Sequence, residues 1–194
     1  MIKMKKLLMG LLFMLPLCGF AQKGMQGVGG GLSFENGFHG DCECLGLSIK
    51  YQNHLTDRMR IVASLEISEV SGILDFGYYG REQVSGELVG GGVSLNYFLE
   101  DYSLKAVSRL RPYALIGFSL GEYAYTREES FYHNSHMVSS DNTMVGFGVN
   151  FGIGLDCRIS HHFSIQAEFV GLISELMVTS SLFFGPSIGL TYVF

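Results

Sequence analysis

Apolar and small or polar residues alternate along most of this chain. Over 145–155, Val145, Phe147, Val149, Phe151, Ile153 and Leu155 interleave with Gly146, Gly148, Asn150, Gly152 and Gly154. A period of two is the strand period. The same alternation runs through 44–51, 59–68, 89–99, 163–169 and 187–194, and less regularly through 25–34 and 112–121. In 112–121 the second face carries Tyr113 and Leu115 rather than small residues. The pattern predicts an all-β chain of eight antiparallel strands in up-and-down order.

Alternation alone does not say which face points outward, because a soluble lipocalin-like barrel alternates too. The non-apolar face decides. It is built of Gly, Ser, Asn and isolated charges, with few of the Lys, Glu and Thr that a water-washed wall would carry. A narrow eight-stranded lumen needs small side chains and paired polar ones. The apolar face is therefore expected to meet lipid, making the chain a transmembrane β-barrel.

The expected connections also alternate. Short ones fall at 52–58, 100–111 and 157–162, and longer ones at 35–43, 69–87, 122–143 and 171–183. Short turns on the periplasmic side and long outer loops are the membrane-barrel arrangement. Both chain ends then lie in the periplasm. Tyr51, Tyr97, Tyr113, Phe163, Tyr192 and Phe194 gather at that end, as an interfacial aromatic girdle would.

The first residues add a compartment. Lys3, Lys5 and Lys6 precede the apolar run Leu7–Leu17, and Gly19 and Ala21 stand three and one residues before Gln22. That is the form of a secretory signal peptide over 1–21, with the barrel domain over 22–194. Lipidation at Cys18 is disfavoured because Leu17, just before it, is not small. No later run is long and apolar enough for a membrane helix, so a membrane location requires a closed barrel.

Charge then locates candidate chemistry. The chain holds 13 bases and 18 acids. Three of the bases are the leader lysines, which leaves 10 against 18. Most acids fall in the outer connections, giving a rim suited to cationic ligands or to divalent ions that bridge lipid phosphates. The 122–143 connection is the candidate binding loop, with Tyr123, Tyr125, Glu128, Glu129, Phe131 and Tyr132 as contact residues. On the inward face Lys50, Arg60, Glu66, Asn150, Asp156 and Glu168 are expected to form a lumen polar network. Charges in a low-dielectric interior must pair. A plug of ion pairs is favoured over an ion path, because eight strands leave little spare interior.

Arg111-Pro112-Tyr113 opens a glycine-containing strand. Phe163-Ser164-Ile165-Gln166-Ala167-Glu168 forms another strand, and the chain ends Gly189-Leu190-Thr191-Tyr192-Val193-Phe194. In these segments it resembles the small outer-membrane β-barrel domain proteins, the eight-stranded OmpA/OmpX-like barrels of Bacteroidetes type. The resemblance spans essentially 22–194. It implies outer-membrane placement and reading of the last strand by the barrel-assembly machinery. It implies no activity, since fold does not supply one.

Other chemistry is weakly signalled. Cys42, Cys44 and Cys157 remain after cleavage, and their expected positions offer no disulfide. His39, Asp41, Cys42, Glu43, Cys44, His133 and His136 match no zinc spacing. His162-Phe163-Ser164 with Glu168 looks superficially like the site of a lipid A-modifying hydrolase. However, Ser164 and Glu168 are expected inward, at the wrong membrane leaflet. No cofactor motif and no nucleic-acid patch is present. The expectation is a monomeric, non-enzymatic barrel with no catalytic, cofactor or metal site.

Overall fold

The computed structural model describes residues 25–37, 41–75, 81–100, 110–131, 134–174 and 181–194. Eight strands follow in chain order: β1 Gln26–Gly37, β2 Asp41–His54, β3 Met59–Asp75, β4 Arg81–Phe98, β5 Leu110–Phe131, β6 Asn134–Arg158, β7 Phe163–Ser174 and β8 Ser181–Val193. Each pairs antiparallel with its sequence neighbours, and β1 pairs with β8, so the sheet closes on itself. The predicted signal peptide over 1–21 lies outside the described residues.

Closure follows from the strand period. On every strand one set of alternate side chains points into the lumen and the other points out. Leu45, Leu47 and Ile49 are exposed, whereas Cys44 and Gly46, on the opposite phase, are buried. Glycine on the inward face is required where walls approach. A Cβ on Gly29 would sit 2.5 Å from the Leu190 carbonyl oxygen of β8, closer than real atoms allow.

The strands run further than the sequence pattern predicts. The connections expected at 35–43, 69–87, 122–143 and 171–183 are largely strand. β3 and β4 stay paired to Asp75↔Arg81, and β5 and β6 to Ser130↔Met137, with a register shift only between Ser130 and Phe131. Polar outward positions hide these extensions, because beyond the apolar wall the outward face need not be hydrophobic. At the other end the first and third turns are tight, with strands resuming at Met59 and Phe163. The expected turn at 100–111 is shifted, since β5 begins at Leu110.

Candidate functional site

The lumen carries the densest polar chemistry among the described residues, and it is arranged in three layers. Nearest the chain termini is an ionic and aromatic floor. Arg60 of β3 donates from Nη1 to Asp156 Oδ2 of β6 at 2.8 Å, and Arg111 of β5 reaches Asp156 Oδ1 at 3.2 Å. Gln166 Nε2 donates to the same carboxylate at 3.3 Å and to Gln52 Oε1 at 2.9 Å. The Arg60 guanidinium lies 5.0 Å from the ring centroids of both Phe98 and Tyr113. This aromatic clamp favours a desolvated cation.

Just above the floor, Lys50 of β2 donates to Glu168 Oε2 of β7 at 2.7 Å. The Tyr113 hydroxyl donates to Glu168 Oε1 at 2.6 Å, and Ser187 donates to Oε2 at 3.1 Å. Arg60–Asp156 and Lys50–Glu168 each join strands that do not pair in the sheet, so they brace the barrel across its interior, whereas Arg111 and Asp156 are direct partners on β5 and β6.

The middle layer is a cavity of about 160 Å³ lined mainly by serines and glycines, with Glu35, Glu66 and Lys50 among its charged walls. Glu66 accepts from Ser33 at 2.7 Å and from Ser68 at 3.1 Å. Asn150 accepts from Ser119 at 3.2 Å. The third layer is apolar: Cys44, Val70, Tyr123 and Phe183 pack together, joined by Leu88, Leu172 and Tyr125.

All six expected lumen residues face the interior. Lys50 and Glu168 meet, as do Arg60 and Asp156, whereas Glu66 and Asn150 are held by hydroxyls on the cavity wall. Arg111, which is not among the inward charges expected from the sequence, is buried beside Asp156. Gln52 and Gln166 were not singled out. Strand parity was the available signal, since Arg111 shares the inward phase of Tyr113 and Leu115.

Two expectations need correction. Tyr113 is not part of an aromatic girdle: it is 2 % exposed, inside the barrel, bonded to Glu168. Its odd position on β5 points inward, while Ala114, Ile116 and Phe118 point out. Tyr97, Phe163, Tyr192 and Phe194 are exposed on the outer wall at the terminus end, and Tyr51 is half-buried there.

The second correction concerns the binding loop. Tyr123 is buried in the upper apolar layer and stacks on Tyr125 with ring centroids 4.8 Å apart. The Tyr125 hydroxyl lies 3.6 Å from Met144 Sδ. Inward parity simply continues past the membrane wall, so neither ring is a free contact surface. Glu128, Glu129 and Phe131 belong to β5, but their side chains, like all of Tyr132, lie outside the described residues.

The hydrolase-like residues are not assembled. Ser164 is fully buried in the lumen, whereas the exposed His162 ring stacks on Tyr192 outside the barrel at the terminus end. Cys44 is buried in the apolar layer, away from the other expected ligands. Cys157, expected to begin a turn, lies within β6. No group of three or more metal-ligating side chains occurs among the described residues, and His39, Cys42 and His133 lie outside them in whole or in side chain.

No family model matches the chain, and no curated protein matches it. Solved structures do. The N-terminal β-barrel domain of Pseudomonas aeruginosa OprF aligns with 89% of this chain and 100% of its own, at 20% identity and a TM-score of 0.50. Ail, the attachment invasion locus protein of Yersinia pestis, in complex with the heparin analogue sucrose octasulfate, aligns over 88% of this chain and 97% of its own (14% identity, TM-score 0.49). Neisserial surface protein A aligns over 88% and 97% (13% identity, TM-score 0.48). At these identities the likeness shows the fold alone, a closed eight-stranded antiparallel barrel.

Proposed function

We propose that this chain is an integral outer-membrane β-barrel whose wall faces lipid and whose outer hairpins serve surface interaction, in adhesion or envelope maintenance. The carrying observation is the inversion of the usual burial pattern. Leu47, Leu120, Val145 and Ile153 are each more than 60 % exposed, while Arg60 and Asp156 are 0 % exposed. A continuous apolar wall far exceeds the few hundred Å² that a water-soluble monomer tolerates. In hydrocarbon it is the outward band of a barrel, and closure leaves no unpaired strand edge in lipid. A soluble lipocalin-like barrel would have the opposite faces.

The aromatic wall at the terminus end supports a periplasmic position for both chain ends. The hairpins β1–β2, β3–β4, β5–β6 and β7–β8 then point outward. Its partners are outer-membrane lipid and, through β8, the barrel-assembly machinery. The layered lumen suits a braced monomer, not an open pore. The burial of Ser164 away from His162 weighs against a lipid A-modifying enzyme.

One observation favours a cationic contact at the outer boundary of the wall. Glu69 and Glu87 are both exposed and directly opposite across β3–β4, next to the apolar pair Ile67↔Val89. The pair adds to the acidic outer face at the lipid boundary, where a cation bridging to lipid phosphate would be drawn. Calcium titration read by thermal shift tests this. An unchanged melting temperature sinks it.

The main reading is tested on urea-washed outer membranes run on SDS gels, boiled and unboiled. The expected result is retention in the membrane and a mobility shift on boiling. Release by urea without a shift would overturn it.

A further inference from the structure

The wall of the lumen cavity is unbalanced in charge. Glu35, Glu66 and Glu168 line it against one cation, Lys50. Lys50 is paired with Glu168 at 2.7 Å. Glu35 and Glu66 are left with no cationic partner among the described residues, and the Glu66 charge repels that of Glu35. In a narrow lumen an uncompensated carboxylate is costly.

Strand phase brings these two carboxylates to one side of the cavity. A Cβ on Gly46 of β2 would collide with Glu66 Oε1, so this glycine makes the room into which the β3 side chain leans. Ser33 and Ser68 both donate to that oxygen, and no hydrogen bond among the described residues reaches Oε2. Glu35 is the next inward residue after Ser33 on β1, in register with Cys44. It makes no hydrogen bond or ion pair among the described residues. Two carboxylates with acceptor capacity to spare thus share one space.

The rest of the wall selects the kind of cation. Val62, Val70, Leu88, Tyr123 and Phe183 line the same cavity and are apolar. Calcium takes about six to eight oxygen ligands, and this wall offers oxygens on one side only. A primary ammonium presents its donors from the end of an apolar stem, which matches a wall of two characters. The volume of about 160 Å³ is close to the roughly 150 Å³ that holds one benzene, so a stem of a few carbons fits. An apolar lining with a few convergent polar groups is the usual form of a small-molecule site.

We infer that the lumen cavity binds a small primary amine, with its ammonium between Glu35 and Glu66 and its short apolar stem against Tyr123 and Phe183. This needs the closed barrel and not the lipid-facing reading of its outer wall.

The test uses the full barrel and n-butylamine at about pH 7, where the amine is protonated. The controls are n-butanol, butyrate and calcium chloride. The barrel is folded in detergent micelles with each compound present, so that none has to pass the upper apolar layer. Saturable amide shifts confined to the residues around the cavity, among them Glu35, Gly46, Glu66 and Tyr123, are expected with butylammonium. The controls should bind at least tenfold more weakly. Glu35→Gln removes the charge at a side chain that holds no partner. That variant should keep the heat-dependent mobility shift and bind butylammonium about tenfold more weakly. Glu35→Lys sets an ammonium beside Glu66 and should abolish binding.

Equal binding by Glu35→Gln, equal binding of n-butanol or butyrate, or no saturable shift would overturn the inference. So would tighter binding of calcium at the same amides, which would make the cavity a metal site. Release of the protein from urea-washed membranes would count against the outer-membrane reading alone.

Discussion

Arg60 and Asp156 meet at 2.8 Å across the barrel interior, one from β3 and the other from β6, and neither side chain has any exposed surface. Asp156 also holds Arg111. Removing this carboxylate leaves two guanidiniums without their counter-ion, and breaking a buried pair costs about 3–5 kcal/mol. Asp156→Ala should therefore lower the urea midpoint of the folded barrel more than Arg111→Ala, which leaves the Arg60–Asp156 pair in place. Equal effects would mean that the floor does not act as one network. The same floor predicts no steady single-channel conductance in planar bilayers.

Tyr113 lies over Gly154, where an added Cβ would collide with its ring. Gly154→Ala should push the phenol from Glu168 and cost about 1–3 kcal/mol by overpacking. Tyr113→Phe keeps the ring but leaves Glu168 one donor short, an expected loss of about 1–3 kcal/mol. Because both act on one contact, the double variant should lose less than the sum. A double-mutant cycle by urea unfolding checks this, and simple additivity would contradict it.

The last two residues close the barrel. The Phe194 N–H donates to the Gln26 carbonyl at 2.9 Å, and the Val193 N–H donates to the His162 carbonyl at 2.6 Å. Deleting Val193 and Phe194 removes both bonds and exposes an edge to lipid, where unpaired backbone is costly. The truncated chain should fail to show the heat-dependent mobility shift. Normal heat-modifiable barrel from that chain would show that closure does not need its end.

Tyr123 and the hairpin tip should separate in their effects. Tyr123→Ala opens the upper apolar layer and should cost about 3–5 kcal/mol, in the range of large aromatic truncations. Thr126 and Asp141 are cross-strand partners, with the Thr126 hydroxyl donating to Asp141 at 2.9 Å. Replacing 127–140 by Asn-Gly supplies a two-residue hairpin turn at that pair. The shortened barrel should keep its melting temperature and lose adhesion to host cells or matrix. Loss of the folded barrel would make the tip structural.

Strand number, strand phase and the sign of each face were legible in residue type alone. The run Val145 to Leu155 admits one reading, because its two faces differ so sharply in size and polarity. Strand ends were not legible. Beyond the membrane wall the outward positions of β5 and β6 turn mostly polar, as at Glu122, Thr126, Asp141 and Thr143, so the apolar alternation vanishes while the backbone ladder continues. Tyr113 misled for a related reason. Its position near a strand end suggested an interface, but its parity placed it inside.

Local chemistry thus determined that this chain makes period-two strands with one lipid-compatible face and a small-residue lumen. Only the closed barrel decided which inward charges share a partner. Arg60, Arg111 and Asp156 come from β3, β5 and β6, and Lys50 and Glu168 from β2 and β7. These distances depend on strand register and on the curvature of the whole sheet. The unequal reach of the β5–β6 and β6–β7 ladders among the described residues has the same origin, a relation between strands and not a property of any one of them.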